Sequence, residues 1–285
     1  MPINNAVLRR WLTLLALVAG CSLFFVLRTA LAQRISLPRT FEWFETLTVL
    51  GSLAALALGF RRLTWRDGAV ALAGGLLIGG QMPLATLFSP YPFFGAVNDP
   101  LLYGLVRGLY TMAALLGGLV ILRSAGPVQV RLANGEWRKA LKSLGFGLLV
   151  GVPLAVLNMF ANQFTQGRPF DWQSPWAAAL DALQPAVYED VVFRLAFLGL
   201  LWWVLRPGWG ASKAALWAGL LATLVHGYAH MDDLFLSQPL AALGMGAVMA
   251  LIWGAPMTLL ATRRDLESSI AFHWIQDALR FWAGF

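Results

Sequence analysis

The chain has 285 residues, of which 59% are hydrophobic and 12% charged, with a net charge of +7 and a single cysteine. Soluble domains carry about 25% charged residues, so this composition cannot coat a water-exposed globule and excludes a soluble enzyme. It excludes a disordered chain too, because disorder needs polar, charge-rich sequence.

A helix crossing ~30 Å of hydrocarbon needs about 20 largely apolar residues. In chain order, charge-free runs occupy residues 11–27, 46–60, 68–98, 108–122, 143–167, 214–231 and 234–262. Two further stretches, 185–205 and 266–285, are long enough but carry charges inside them. These runs predict an all-α, polytopic transmembrane helix bundle of about eight or nine spans. Residues 18–21, ending in Cys21, have the look of a lipoprotein cleavage box. The apolar run continues through residues 22–27, which predicts an uncleaved first helix.

Between the spans the basic residues are scattered in short clusters, which argues against a nucleic-acid partner. Counted with the N-terminus inside, fourteen of the 21 Lys and Arg residues fall on the cytoplasmic side, including Arg61, Arg62, Arg138, Lys139 and Arg263. That bias predicts an integral protein of a bacterial-type inner or plasma membrane with a cytoplasmic N-terminus and an external C-terminus. The loop at 124–142 separates an N-terminal half with few polar groups in its spans from a C-terminal half that contains them. The pairs Gly75/Gly79 and Gly147/Gly151 have the small-xxx-small spacing that lets helices approach closely.

A charge inside a bilayer is costly, so each one needs a reason. Glu189, Asp190 and Arg194 lie early in the sixth span, just after Pro185. On an α-helix Asp190 and Arg194 share a face and form an ion pair. Glu189 points about 100° away and has no helical partner, which suits a carboxylate acting as general base or acid. All three histidines fall in predicted spans: His226 and His230 are one turn apart, and His273 stands one turn before Asp277. Such spacing serves a metal site on helices, and equally a metal-free site placing a base, a donor and an orienting group around one substrate atom. The three helices bring these groups between mid-membrane and the outer face, which predicts one shared cavity. The bland alternative is a packing network holding the helices together.

These residues resemble the CPBP family of intramembrane endopeptidases, which takes in CAAX proteases and bacteriocin-processing, Abi-type proteins. The family order is Glu-Glu-x-x-x-Arg, Phe-x-x-x-His and His-x-x-x-Asn/Asp on successive helices. Here the motifs read Glu189-Asp190-x-x-x-Arg194, His226-x-x-x-His230 and His273-x-x-x-Asp277. The resemblance divides the chain into N-terminal helices (1–140) and a catalytic core of four to five helices (141–285). It implies that Glu189 activates the attacking water and that His230, His273 and Asp277 complete the catalytic site, with Asp190, Arg194 and His226 in support. Asp190 replaces the second Glu, and Asp277 stands where Asn is common. His226 stands where Phe is usual, which leaves a second register open, with His226 as the motif histidine. An ionised Asp277 is acceptor-only, so it is either protonated or orients His273.

The resulting expectation is hydrolysis of a peptide bond in a membrane-associated protein or peptide, without a metal. A zinc ion held by Glu189, His230 and His273 is the alternative, disfavoured because zinc sites usually keep a separate base. Rival readings of the same acids and histidines are a proton-coupled transporter and a non-catalytic scaffold or immunity protein.

Overall fold

The computed structural model describes residues 5–88 and 93–285. Among these the chain is a helix bundle with one isolated antiparallel bridge, Phe93 to Val97. Part of the predicted apolar run 68–98, residues 89–92, lies outside the described residues. The elements are α1 (Asn5–Ala32), α2 (Thr40–Gly59), α3 (Trp65–Gln81), α4 (Pro100–Arg123), α5 (Trp137–Gln166) and α6 (Pro175–Asp181). A π-helical segment, Gln184–Phe197, leads into α7 (Leu198–Ala229). Then come α8 (Asp232–Ser237), α9 (Pro239–Met249), a short π turn (Ala250–Gly254), α10 (Ala255–Arg263) and α11 (Leu266–Trp282).

Among the described residues, six helical stretches are long and apolar enough to cross a membrane: Val7–Ala32, Thr40–Arg62, Pro100–Arg123, Trp137–Gln166, Pro175–Ala229 and Pro239–Arg263. The fifth of these is not one rod. Gly210 inside α7 has φ 71° and ψ 165°, a left-handed conformation that glycine adopts without steric cost. The chain reverses there, giving the two passages expected from 185–205 and 214–231. The helices α3 and α11 have 17 residues each. At 1.5 Å per residue they reach ~25 Å, somewhat short of the hydrocarbon thickness.

Packing inverts the soluble pattern. Large apolar side chains such as Leu58, Leu76, Leu149, Phe164 and Leu251 face outward, while small residues let the backbones meet. A Cβ on Gly75 would stand 2.9 Å from the Gly108 carbonyl, so α3 and α4 touch through glycines. A Cβ on Gly147 would overlap the Ser268 carbonyl, and α5 packs closely on α11 through this contact. Both glycine pairs singled out in the sequence are therefore helix crossings.

The N-terminal half is more polar inside than its sequence suggests. Glu42, Glu45, Gln81 and Arg107 are all buried, and Arg107 forms an ion pair with Glu45 between α4 and α2. The Arg107 guanidinium also lies over the rings of Tyr188, 4.5 Å from its centroid, and Tyr103, at 5.2 Å. Both α2 and α4 pack against the π-helical segment. The buried charge thus sits directly behind the residue preceding Glu189.

Candidate active site

Glu189, Asp190 and Arg194 lie on the 14-residue π-helical segment, whose Pro185 occupies the first turn. This corrects the α-helical geometry assumed from spacing. An i→i+5 bond pattern widens the helix, so neighbouring side chains diverge by less than the 100° of an α-helix. Adjacent Glu189 and Asp190 can then both point inward, each towards a different helix. The Asp190–Arg194 ion pair survives the change, at 3.6 Å.

Glu189 is not without a partner, as its own helix alone suggested. Its Oε2 lies 2.8 Å from His226 Nε2 and 3.8 Å from His230 Nε2, and the two imidazole nitrogens are 3.3 Å apart. Three polar atoms from two helices form one tight triangle. His226 is the buried member, its side chain 7% exposed and flanked by the rings of Phe193 and Phe41. His230 ends α7 as its cap residue and packs against Phe41, the tilted rings 4.9 Å apart. At 35% exposure it faces open space. Of the two histidines, His226 makes the direct bond to Glu189 and His230 presents itself to the cavity.

Asp190 is the hub of a second cluster. It accepts a 2.5 Å hydrogen bond from Ser269 Oγ and lies 3.1 Å from His273 Nδ1. On the far side of that ring, Nε2 is 3.3 Å from Asp277 Oδ2, and Asp277 Oδ1 is 2.8 Å from Arg280. A guanidinium and an imidazole stand at its two oxygens, an arrangement that suits a carboxylate orienting His273. Carboxylates at both ring nitrogens, Asp190 at Nδ1 and Asp277 at Nε2, fix the orientation of the His273 ring beside the cavity.

Glu189, His226, His230, His273 and Asp277 line a cavity of about 530 Å³, with Asp190 and Ser269 buried behind them. Sequence reasoning missed several members of the site. Ser269, which bonds Asp190, and Arg280, which lines the cavity, were within reach, because they stand i−4 from His273 and i+3 from Asp277 on α11. Phe41, Phe88, Tyr103 and Arg107 also line it, and nothing local in the sequence connects them to residues a hundred positions away. As a potential ion site, the grouping that converges is Glu189, His226 and His230, whose ligand atoms all lie within 4.8 Å of one another. His273, with carboxylates at both ring nitrogens, is not part of that grouping.

Residues 171–279 match the family model for Rce1-like proteins, described as type II CAAX prenyl endopeptidase Rce1-like. This segment is CAAX-protease-like. It spans all seven motif residues from Glu189 to Asp277 and agrees with the family that the motif order resembles. The N-terminal wall of the cavity and α5 lie outside the CAAX-protease-like segment. No curated protein and no solved structure matches the chain.

Proposed function

We propose that the chain is an intramembrane endopeptidase of the CAAX-protease type, hydrolysing a peptide bond of a membrane-associated protein or peptide with water activated by Glu189. The observation that carries this reading is the Glu189–His226–His230 triangle, set in a 530 Å³ cavity among helices of membrane-spanning length. Glu189 accepts a proton from water while the oxygen attacks the scissile carbonyl. His226 holds the carboxylate in place. His230, half-exposed beside it, donates to the oxyanion as the tetrahedral intermediate forms. His273, held by Asp190 and Asp277 at its two ring nitrogens, stands as a second oriented imidazole in the same cavity. The proton on Glu189 then passes to the departing amine. Arg194 supports the site by neutralising Asp190. The excess of basic residues in the loops favours a cytoplasmic N-terminus in a bacterial-type inner membrane.

A metal-dependent version draws support from the same triangle. Glu189, His226 and His230 fit a three-ligand zinc site, and the ion would supply Lewis-acid activation of a bound water. The metal-free version is favoured by the remaining carboxylates. With Glu189 as a ligand the base would fall to Asp190 or Asp277, and both are committed to ion pairs.

The deciding experiment compares membrane proteomes of cells carrying wild-type and Glu189→Gln protein, with metal analysis of the purified enzyme. The amide keeps the volume of the acid but cannot take the proton, so a processed membrane polypeptide should persist uncleaved at normal expression of the variant. Unchanged processing would overturn the protease reading. Stoichiometric zinc with chelator-sensitive cleavage would overturn the metal-free version.

A further inference from the structure

The 30-residue helix α5 has two contrasting sides in its second half. Leu157, Phe160 and Phe164 are exposed on the outside of the bundle. Asn158, Ala161, Asn162 and Thr165 line the cavity that holds Glu189. The amides on this side are linked in series. Arg168 Nε donates to Gln166 Oε1 at 2.9 Å, and Gln166 Nε2 to Asn162 Oδ1 at 3.2 Å. Asn162 Nδ2 in turn donates to Asn158 Oδ1 at 3.0 Å. From Gln166 on, each step climbs one turn, ~6 Å along the axis, from the end of α5 into the cavity.

The facing walls carry a second, independent sign. Gln184 Oε1, Gln276 Oε1 and Trp253 Nε1 are buried side-chain atoms without a hydrogen-bond partner among the described residues. All three residues line the same cavity. Buried polar groups are nearly always satisfied by protein or by ordered water, and amides facing hydrocarbon are strongly disfavoured. Two acceptors and a donor left unsatisfied on residues of the cavity lining, together with a ladder of amides that both donate and accept, make this part of the bundle polar and suited to water.

We infer that this face of α5 is the route by which water reaches Glu189, entering at the Gly167 end and following Gln166, Asn162 and Asn158 inward. The purpose of the route rests on the hydrolytic reading above, since each cleavage consumes one water in an otherwise apolar bundle. Its existence is testable without a substrate.

Because Cys21 is the chain's one cysteine, a Cys21→Ser background allows single cysteines to be placed at Asn158, Ala161, Asn162, Leu157 and Phe160. Proteoliposomes carrying each variant are treated with a charged, membrane-impermeant methanethiosulfonate. Cysteines at Asn158, Ala161 and Asn162 should react at least ~10-fold faster than those at Leu157 and Phe160, because a thiol in apolar surroundings holds less reactive thiolate. Adding Asn162→Leu should slow the labelling of a cysteine at Asn158 while leaving one at Gln166 unaffected. Equal, slow labelling of both faces, with Gln166→Cys still reactive, overturns the route. So does an Asn158 cysteine whose labelling ignores Asn162→Leu. Ala161→Cys exchanges one small residue for another and keeps the test available if an Asn variant fails to fold. Glu189→Gln should not alter any labelling rate, so failure of the protease reading and failure of the water route are separately visible.

Discussion

Two adjacent acids in the centre of the bundle have opposite fates, and their partners explain why. Asp190 is saturated by Ser269, His273 and Arg194, so its charge organises structure. Glu189 meets two imidazoles and a cavity, where a carboxylate can still exchange a proton. This division predicts distinct variants. His230→Ala should fold normally, being half-exposed, and lose at least ~10²-fold in turnover, the scale for removing an oxyanion donor. His226→Phe restores the residue common in the family motif, and on spacing alone should keep most activity. The 2.8 Å bond to Glu189 reverses that expectation: the variant should lose turnover while its thermal stability in detergent changes little. Wild-type turnover by His226→Phe would show that the bond plays no part in positioning the base. Arg194→Ala should act through folding, since Asp190 stays buried with one cation fewer. Breaking a buried pair costs about 3–5 kcal/mol, with Ser269 and the His273 ring left to soften the loss. A lower melting temperature in detergent is expected. A stable but inactive protein would instead place Arg194 in the chemistry.

At the scale of elements, the site depends on how closely α11 is held. The helix delivers Ser269, His273, Asp277 and Arg280 from one side, and α5 clamps it through Gly147 and Gly151. A Cβ on Gly151 would come within 3.2 Å of the Phe272 carbonyl, one residue before His273. Gly151→Leu should therefore cost roughly 1–3 kcal/mol by overpacking and reduce turnover by displacing His273. Gly145→Ala on the same helix meets nothing within 4 Å. It should be neutral or gain about 0.5–1 kcal/mol from the lower helix cost of Ala. Thermal unfolding and activity measured together would separate the two, and equal behaviour would mean the crossing does not position α11. The spans were legible in sequence because apolar length is a direct physical requirement of a bilayer, and the small-residue crossings because i, i+4 spacing is local. The π-helical segment was not legible. Its charges sit at positions that also fit an α-helical template, and only the bond pattern distinguishes the two. The Glu189–His226 bond was hidden for the same reason, because it depends on which way a widened helix turns its acid.

On the scale of the whole molecule, the N-terminal helices contribute a wall that no motif announces. Asp232, two residues past His230, accepts hydrogen bonds from the Thr40 backbone at 2.7 Å and hydroxyl at 2.5 Å. That places the start of α2, and hence Phe41, against both histidines. Deeper in, the Glu45–Arg107 pair backs Tyr188, and Arg107 lines the cavity. These contacts join residues sixty to almost two hundred positions apart, which a single sequence read by local spacing cannot reveal. They imply that the two halves fold as one unit and that the pair can be dissected by a double-mutant cycle. Arg107→Met leaves Glu45 buried without its cation and should destabilise by about 3–5 kcal/mol. Glu45→Gln with Arg107→Met removes both charges and should recover most of that stability, because replacing a whole buried pair is often close to neutral. The double variant is then a folded protein in which the cavity has lost its guanidinium and Tyr188 its stacked cation. If the N-terminal wall only supports the fold, this protein should process its substrate at the wild-type rate. Because Arg107 touches both the cavity and the residue before Glu189, a fall in turnover of at least ~10-fold is expected, equivalent to 1.4 kcal/mol of transition-state stabilisation. Full activity in the recovered double variant would confine the chemistry to the C-terminal half.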